Sequence, residues 1–149
     1  MEYRLATPEE IPTLRELRKI QLIEEGHKPD INMDAELDEF FARRMADGSM
    51  LEWVGVEAGE IVATGGLIFY DMPPAFNNKT GLKGYVCNMY TAPAYRRQGV
   101  ASHILDLILE EARSRGIRQM WIGASAMGKP VYAKKGFKDT GTWMDLNLY

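Results

Sequence analysis

Apolar residues recur at two spacings along this chain, and the switches between them mark out its elements. Residues 3–6, Tyr3-Arg4-Leu5-Ala6, alternate weakly and predict a short edge or first strand. Thr7-Pro8-Glu9-Glu10 follows with three helix-start signals: a capping residue, proline at the first helical position, and a glutamate three after the cap. Ile11, Leu14, Leu17 and Ile20 then supply one apolar face as far as Gly26. Residues 27–33 are polar and contain Pro29, which predicts a loop. Residues 34–48 return to helical spacing through Leu37, Phe40, Phe41 and Met45, and Gly48 ends the run.

The middle of the chain changes to strand character. Leu51–Val56 and Ile61–Tyr70 are apolar runs joined by Glu57-Ala58-Gly59-Glu60, a hairpin signal. Residues 71–83, with Pro73-Pro74, Asn77-Asn78 and Gly81, form a connection long enough to draw functional interest. Gly84–Thr91 is a further strand, stopped at Pro93. Residues 98–116 make the strongest helical pattern: Val100, Ala101, Ile104, Leu105, Ile108, Leu109 and Ala112 share one face, and Gly116 terminates it. A buried strand is expected over Arg118–Ala124 and a short helix over Met127–Lys135. Phe137-Lys138 and Thr142–Leu148 are expected as a closing strand pair. The predicted order is β-α-α-β-β-β-α-β-α-β in one mixed α/β domain spanning residues 1–149, without repeats or linkers.

Composition adds exclusions. The 149 residues are 46% apolar and 26% charged, the balance of an ordinary globular domain with one sizeable core. A net charge of −3 argues against nucleic acid as a partner. Cys87 is the single cysteine, so neither an internal disulfide nor a cysteine-based metal cluster is available, and two distant histidines, His27 and His103, make no metal site. The charged N-terminus lacks the apolar stretch of a secretion signal, and the longest nearly uncharged stretch is half of what a membrane helix needs. The expectation is a cytoplasmic protein with no membrane partner.

Candidate chemistry starts at Ala94-Tyr95-Arg96-Arg97-Gln98-Gly99-Val100-Ala101-Ser102. A strand that stops at a proline and turns into a long helix leaves the first amides of that helix unpaired, and those amides and the helix dipole favour an anion. Gly99 allows close backbone approach, and Arg96 and Arg97 bring positive charge to the rim. A solvated helix start accounts for the same residues less well, because cations oppose the dipole at an N-terminus and glycine is a poor first-turn residue. On this local pattern alone both readings stand.

The residues also carry a resemblance. Arg96-x-x-Gly99-x-Ala101 matches the Q/R-x-x-G-x-G/A signature of the GNAT superfamily of acyl-CoA-dependent N-acyltransferases. The run from Met89 to Ala101 resembles that family's strand, proline and "yRgkGia" sequence, and Val131-Tyr132-Ala133-Lys134-Lys135-Gly136-Phe137 resembles its "Y-x-k-x-GF" segment. The element order fits the fold of this family along the whole chain. The resemblance implies that the amides of Arg96, Arg97, Gln98, Gly99, Val100, Ala101 and Ser102 hold the pyrophosphate of acetyl-CoA. It also implies that Met89, Tyr90 and Thr91 pair with the pantetheine arm, and that Tyr132 is the general acid for the departing thiolate. A phenol that keeps its proton at neutral pH suits that role.

Two departures qualify the match. Where the family often has Asn and Ala seven and four positions before the tyrosine, this chain has Ser125 and Gly128; Ser125 can still hydrogen-bond the cofactor arm. Many members also carry a glutamate on the central strand as base, whereas Tyr85-Val86-Cys87-Asn88-Met89-Tyr90 has no carboxylate. The base is therefore unassigned, with Asp71 and a relayed water as candidates. Cys87 reads as an inert core thiol more readily than as a nucleophile. The acidic residues Glu24, Glu25, Asp34, Glu36, Asp38 and Glu39 read first as solvated helix faces and second as an attraction for a cationic amine.

The resemblance thus implies an N-acetyltransferase that moves an acetyl group directly to a primary amine of a small-molecule or peptide acceptor in a ternary complex, without a metal. A non-catalytic acyl-CoA-binding sensor on the same fold is the alternative. Homodimers are common in the family, which leaves self-association open.

Overall fold

The computed structural model describes residues Met1–Tyr149. The chain runs β1 (Glu2–Leu5), α1 (Ile11–Glu24), α2 (Asp34–Asp47), β2 (Met50–Glu57), β3 (Glu60–Asp71), β4 (Leu82–Thr91), α3 (Val100–Ser114), β5 (Gln119–Ile122) and α4 (Lys129–Lys134). Its strands form one five-stranded sheet in chain order. The β1–β2, β2–β3 and β3–β4 pairs are antiparallel, and β4–β5 is parallel, joined by the α3 crossover. No helix is long and apolar enough to cross a membrane.

Strand alternation sends side chains to two apolar layers. On one face Trp53, Ala63, Leu67 and Val86 pack against Val100, Ile104, Leu105 and Ile108 of α3. On the other, Met50 and Val54 meet Ile11 and Leu14 of α1 and Phe41 of α2. Two acidic residues of α2 fix this helix along α1: Asp34 bridges to Lys19 at 2.7 Å and Asp38 to Arg15 at 2.8 Å. The helix start at Thr7 forms as the sequence predicts, through a single 3-10 turn over Pro8–Glu10. The Thr7 amide donates to the Glu10 carboxylate at 2.9 Å.

One irregularity shapes the whole sheet. Between Thr64 and Gly66 the register slips: Thr64 faces Tyr90 while Gly66 faces Cys87, so β4 holds one residue more than β3 across this interval. This is a β-bulge at Asn88 and Met89, and Asn88 takes the left-handed backbone (φ 54°) that makes room for it. The Asn88 carbonyl accepts a 2.6 Å hydrogen bond from Thr64 Oγ1. Gly65 sits opposite, where a Cβ would lie 2.7 Å from Met89 Sδ and 2.5 Å from Ile104 Cγ2.

Three expectations need correction. The last strand pair is absent: residues after Gly136 have no regular structure, because a strand requires a ladder partner and this segment lies beside β5 without entering one. The long helix begins at Val100 rather than at Gln98, because left-handed backbone at Arg97 (φ 62°) and Gly99 (φ 82°) interrupts helical geometry. Strand β5 is shorter than expected and half-buried, since it forms the sheet edge.

Gly65→Ala is expected to destabilise the chain by about 1–3 kcal/mol, since the added methyl overpacks the junction of α3 with the bulge. Urea unfolding checks this: the midpoint should fall while the slope stays constant.

Candidate active site

Past Val86 and Ile122 the parallel ladder between β4 and β5 ends, yet β4 continues to Thr91. Along Met89, Tyr90 and Thr91 the β5 side of β4 therefore has no strand partner, and its backbone groups on that side are open to an extended ligand. A cavity of about 230 Å³ occupies this gap. Its walls are Met89, Tyr90 and Thr91 of β4, Tyr95 to Arg97 and Gly99 of the following loop, Val100 to Ser102 of α3, and Ser125 to Tyr132 around α4.

The loop end of the cavity is built for an anion. From Arg97 to Ser102 no backbone amide donates to an acceptor in the protein. The first bond of the helix is His103 N–H to the Gly99 carbonyl, at 3.0 Å. Left-handed residues at Arg97 and Gly99 turn successive amides toward one side, the nest geometry that suits phosphate oxygens. The Gly99 Cα has no neighbour within 4 Å of where a side chain would start, so the surface there is open.

The two arginines divide the work. Arg96 Nε donates to the Thr91 carbonyl at 2.7 Å and its Nη2 meets Glu24 at 2.7 Å, so this side chain braces the loop against β4 and the end of α1. Arg97 lines the cavity with no ion-pair partner. The Gln98 side chain points out of the cavity, its Nε2 donating to the Ala94 carbonyl at 3.0 Å, and the residue offers only its unpaired amide to the loop.

Tyr132 closes the other end. It is 8% exposed, and burial together with the negative charge of Glu25 pushes its phenol up to about 12, so the hydroxyl keeps its proton throughout the physiological range. Phe137 packs edge-on against its ring at 6.2 Å. Gly128 makes the ring's seat, since a Cβ there would lie 2.7 Å from Tyr132 Cε2. This gives a physical reason for glycine at that position. Ser125 lines the cavity, and its Oγ accepts from the Gly128 amide at 3.1 Å in the turn before α4.

The sheet's other face holds the carboxylate missing from β4. Glu52, on β2, is 2% exposed and receives a 3.3 Å hydrogen bond from Asn88 Nδ2. It stands opposite Gly66, where any Cβ would collide with its Oε2. Burial pushes this carboxyl up to about 8, against smaller opposing effects from the Asn88 hydrogen bond and the Arg18 charge. Asn88 directly precedes Met89, which lines the cavity, so Glu52 is linked to the cavity wall through one strand residue and does not line the cavity itself. A single glutamate inside the apolar run Leu51–Val56 was its only trace in the sequence.

Other candidates fall away. Asp71 pairs with Leu82 at the opposite end of β4 from Thr91, roughly 30 Å distant at 3.3 Å per residue. Burial raises the Cys87 thiol well above its ordinary range, with the Glu52 charge adding to the effect, so it stays protonated and poorly nucleophilic. His103 stacks on Tyr3 at 4.0 Å.

This chain belongs to the Acetyltransferase (GNAT) family, whose model it matches over residues 13–137. It is similar to the crystal structure of a predicted acetyltransferase with acetyl-CoA from Clostridium acetobutylicum, with 44% identity and a TM-score of 0.95, covering 99% of this chain and 96% of that one. It is also similar to a GCN5-related N-acetyltransferase from Ralstonia eutropha JMP134, with 27% identity, a TM-score of 0.91 and coverage of 99% and 97%. A curated relative, the chloroplastic GCN5-related N-acetyltransferase 6 of Arabidopsis thaliana, is 33% identical over 69 residues; these make up 43% of this chain and 24% of that protein's length.

The raised Glu52 carboxyl has a measurable consequence for stability. Between its ordinary value of 4.5 and about 8, the folded chain holds a proton that the unfolded chain has released. Its contribution is thus complete below the lower value and lost as pH rises through the upper one. Urea unfolding should show stability falling from about pH 5 to about pH 8, and Glu52→Gln should flatten that decline. Equal pH slopes in the two proteins would contradict the assignment.

Proposed function

We propose that this chain transfers an acetyl group from acetyl-CoA directly to a primary amine of a small-molecule or peptide acceptor, in a ternary complex. The observation that carries this reading is the set of unbonded amides from Arg97 to Ser102 opening into a cavity that ends at Tyr132. Few ligands are anionic at one end, extended in the middle and reactive at the other. The resident side chains fit such a ligand: amides and Arg97 for the pyrophosphate, the free side of β4 at Met89 to Thr91 for the arm, and a phenol for the sulfur. Bound there, acetyl-CoA supplies an activated acyl group as a thioester.

The chain's own groups then handle protons. The Tyr132 hydroxyl donates to the sulfur as the carbon–sulfur bond breaks, and its proton is restored from solvent. Glu52, oriented by Asn88, accepts the proton that the amine releases as its nitrogen bonds to the acyl carbon. Its raised affinity for protons brings it close to the operating pH, where a general base is most effective. The acceptor approaches from the α1 side, where the Glu24 and Glu25 carboxylates suit a cationic amine. There the α1 residue Gln21 and the adjoining Glu25 are linked by a 3.0 Å hydrogen bond, and the Glu25 charge reaches both Tyr85 and Tyr132.

A thiol-release assay over a panel of amines, polyamines and peptide N-termini tests the reading. Release with at least one acceptor is expected; coenzyme A binding without release for every acceptor assigns the chain to cofactor sensing instead. With an active acceptor, Tyr132→Phe should lower kcat by about 10²–10⁴ and leave coenzyme A affinity unchanged. Glu52→Gln should lower kcat and remove the rise of activity with pH. Undiminished turnover in Tyr132→Phe would exclude the phenol as the acid.

A further inference from the structure

One stripe of α1 changes character along its length. Ile11, Leu14, Arg18, Gln21 and, just past the helix end, Glu25 recur at spacings of three and four, so they share the side turned toward the sheet. Ile11 and Leu14 bury in the apolar layer, as an inward stripe should. The next three positions are polar, although Gln21 is buried and Arg18 half-buried. On the same helix Ile20 and Ile23 stand exposed. Burial favours the reverse arrangement, and departures from such rules collect at functional sites.

The polar stripe is a chain of hydrogen bonds with one end free. Arg18 Nη1 donates to Gln21 Oε1 at 3.3 Å, and Gln21 Nε2 donates to Glu25 at 3.0 Å. That long bond is the only one the Arg18 side chain makes, and no carboxylate lies within ion-pair distance of it. Arg15, one turn earlier, instead pairs with Asp38 at 2.8 Å. A guanidinium has five donor hydrogens, so most of the Arg18 fork is uncommitted. On the sheet below, its charge reaches Glu52, Tyr85 and Cys87. Arg44 of α2, whose charge also reaches Cys87, is stacked over the Phe40 ring at 5.4 Å.

This space adjoins the point where β4 and β5 part. Tyr85 pairs with Trp121, one step before the last pair of the ladder, and a Cβ on Gly123 would lie 3.5 Å from its hydroxyl. The Glu25 charge reaches Tyr85 and Tyr132 alike.

We propose that the acceptor is an α-amino acid, its carboxylate held by Arg18 while its amine turns toward Glu52 and the thioester. The assignment rests on the acetyl-transfer reading above and narrows it. Two carboxylates, Glu25 and Glu52, beside one uncommitted guanidinium suit a molecule with charges of both signs a few bonds apart. A simple amine leaves Arg18 without an anion, and a dianionic phosphate meets two carboxylates with one free cation to offset them. The guanidinium fork matches the paired oxygens of a carboxylate. Gripping that group also fixes the nitrogen next to it, which is how positioning lowers a barrier. The ammonium first loses one proton to solvent. The nitrogen–carbon bond then forms as the carbon–sulfur bond breaks, a second proton passes from nitrogen to Glu52, and Tyr132 protonates the sulfur; the carboxylate is unchanged.

Thiol release by the full chain with acetyl-CoA, measured on the twenty common L-amino acids and on their amides, tests this. The amide keeps the size of each acceptor and removes its negative charge. At least one amino acid should exceed its own amide in kcat/KM by about 10–100-fold, mostly through KM. Arg18→Gln should bring that ratio close to one, and Arg18→Lys should restore part of it; coenzyme A binding checks that both variants are folded. Amides that serve as well as the acids would overturn the proposal, and so would a ratio that survives Arg18→Gln. Release with simple amines alone leaves acetyl transfer standing and removes the amino-acid assignment. Where no acceptor gives release, acetyl transfer itself fails. Calorimetric titration of the same amino acids into the coenzyme A-loaded chain then decides the Arg18 site: binding lost in Arg18→Gln supports it, and no binding by any of them removes it.

Discussion

At Asn88 the fourth strand takes one residue more than its neighbour, and that local excess turns β4 away from β5 where their ladder ends at Val86 and Ile122. The open slot, the free backbone at Met89 to Thr91 and the contact between Asn88 and Glu52 all follow from it. The excess persists because its surroundings over-determine it. Thr64 bonds the Asn88 carbonyl on one side, Gly65 clears space on the other, and Asn88 is among the few residue types that tolerate left-handed backbone. A buried carboxylate and an irregular strand are each unfavourable alone. Here the asparagine that bends the strand also satisfies the acid.

The candidate site joins two kinds of preorganisation. Its anion end depends on backbone that the protein leaves unpaired, so its polarity comes from the course of the chain more than from side chains. Its chemical end depends on burial. The same exclusion of water that holds a proton on Tyr132 raises Glu52, so the groups we propose as acid and base lie on opposite faces of one sheet. Distance along the chain is irrelevant to this pairing: Glu52 and Tyr132 belong to different layers, brought together by the β2–β3–β4 order of the sheet.

Much of this was legible in the sequence, for reasons that also explain what was not. The helices α1 and α2 and the strands β2 to β4 follow local periodicity and capping, which operate within a few residues. The anion loop was legible because Gly99 and the arginines contradict ordinary helix preferences. The Glu52–Asn88 pair was not, because it depends on a register across three strands, and Gly128 was opaque until Tyr132 stood above it. The course of the Gln98 side chain was not legible, because left-handed backbone at Arg97 and Gly99 sets it toward Ala94. The closing strand does not form because strand propensity supplies only half of a ladder.

Arg96 carries a consequence that reaches beyond its own loop. Its guanidinium holds the Thr91 carbonyl with one nitrogen and Glu24 with another, so the proposed cofactor loop and the last turn of α1 are joined through one side chain. Anything that shifts the loop on accommodating a pyrophosphate also shifts that helix end. Thermodynamic linkage then requires reciprocity: an acceptor that prefers the loaded position of the helix must tighten the hold on the nucleotide by the same factor. The two halves of the proposed site are thus tied in affinity by a single side chain that lies outside the cavity's chemical end.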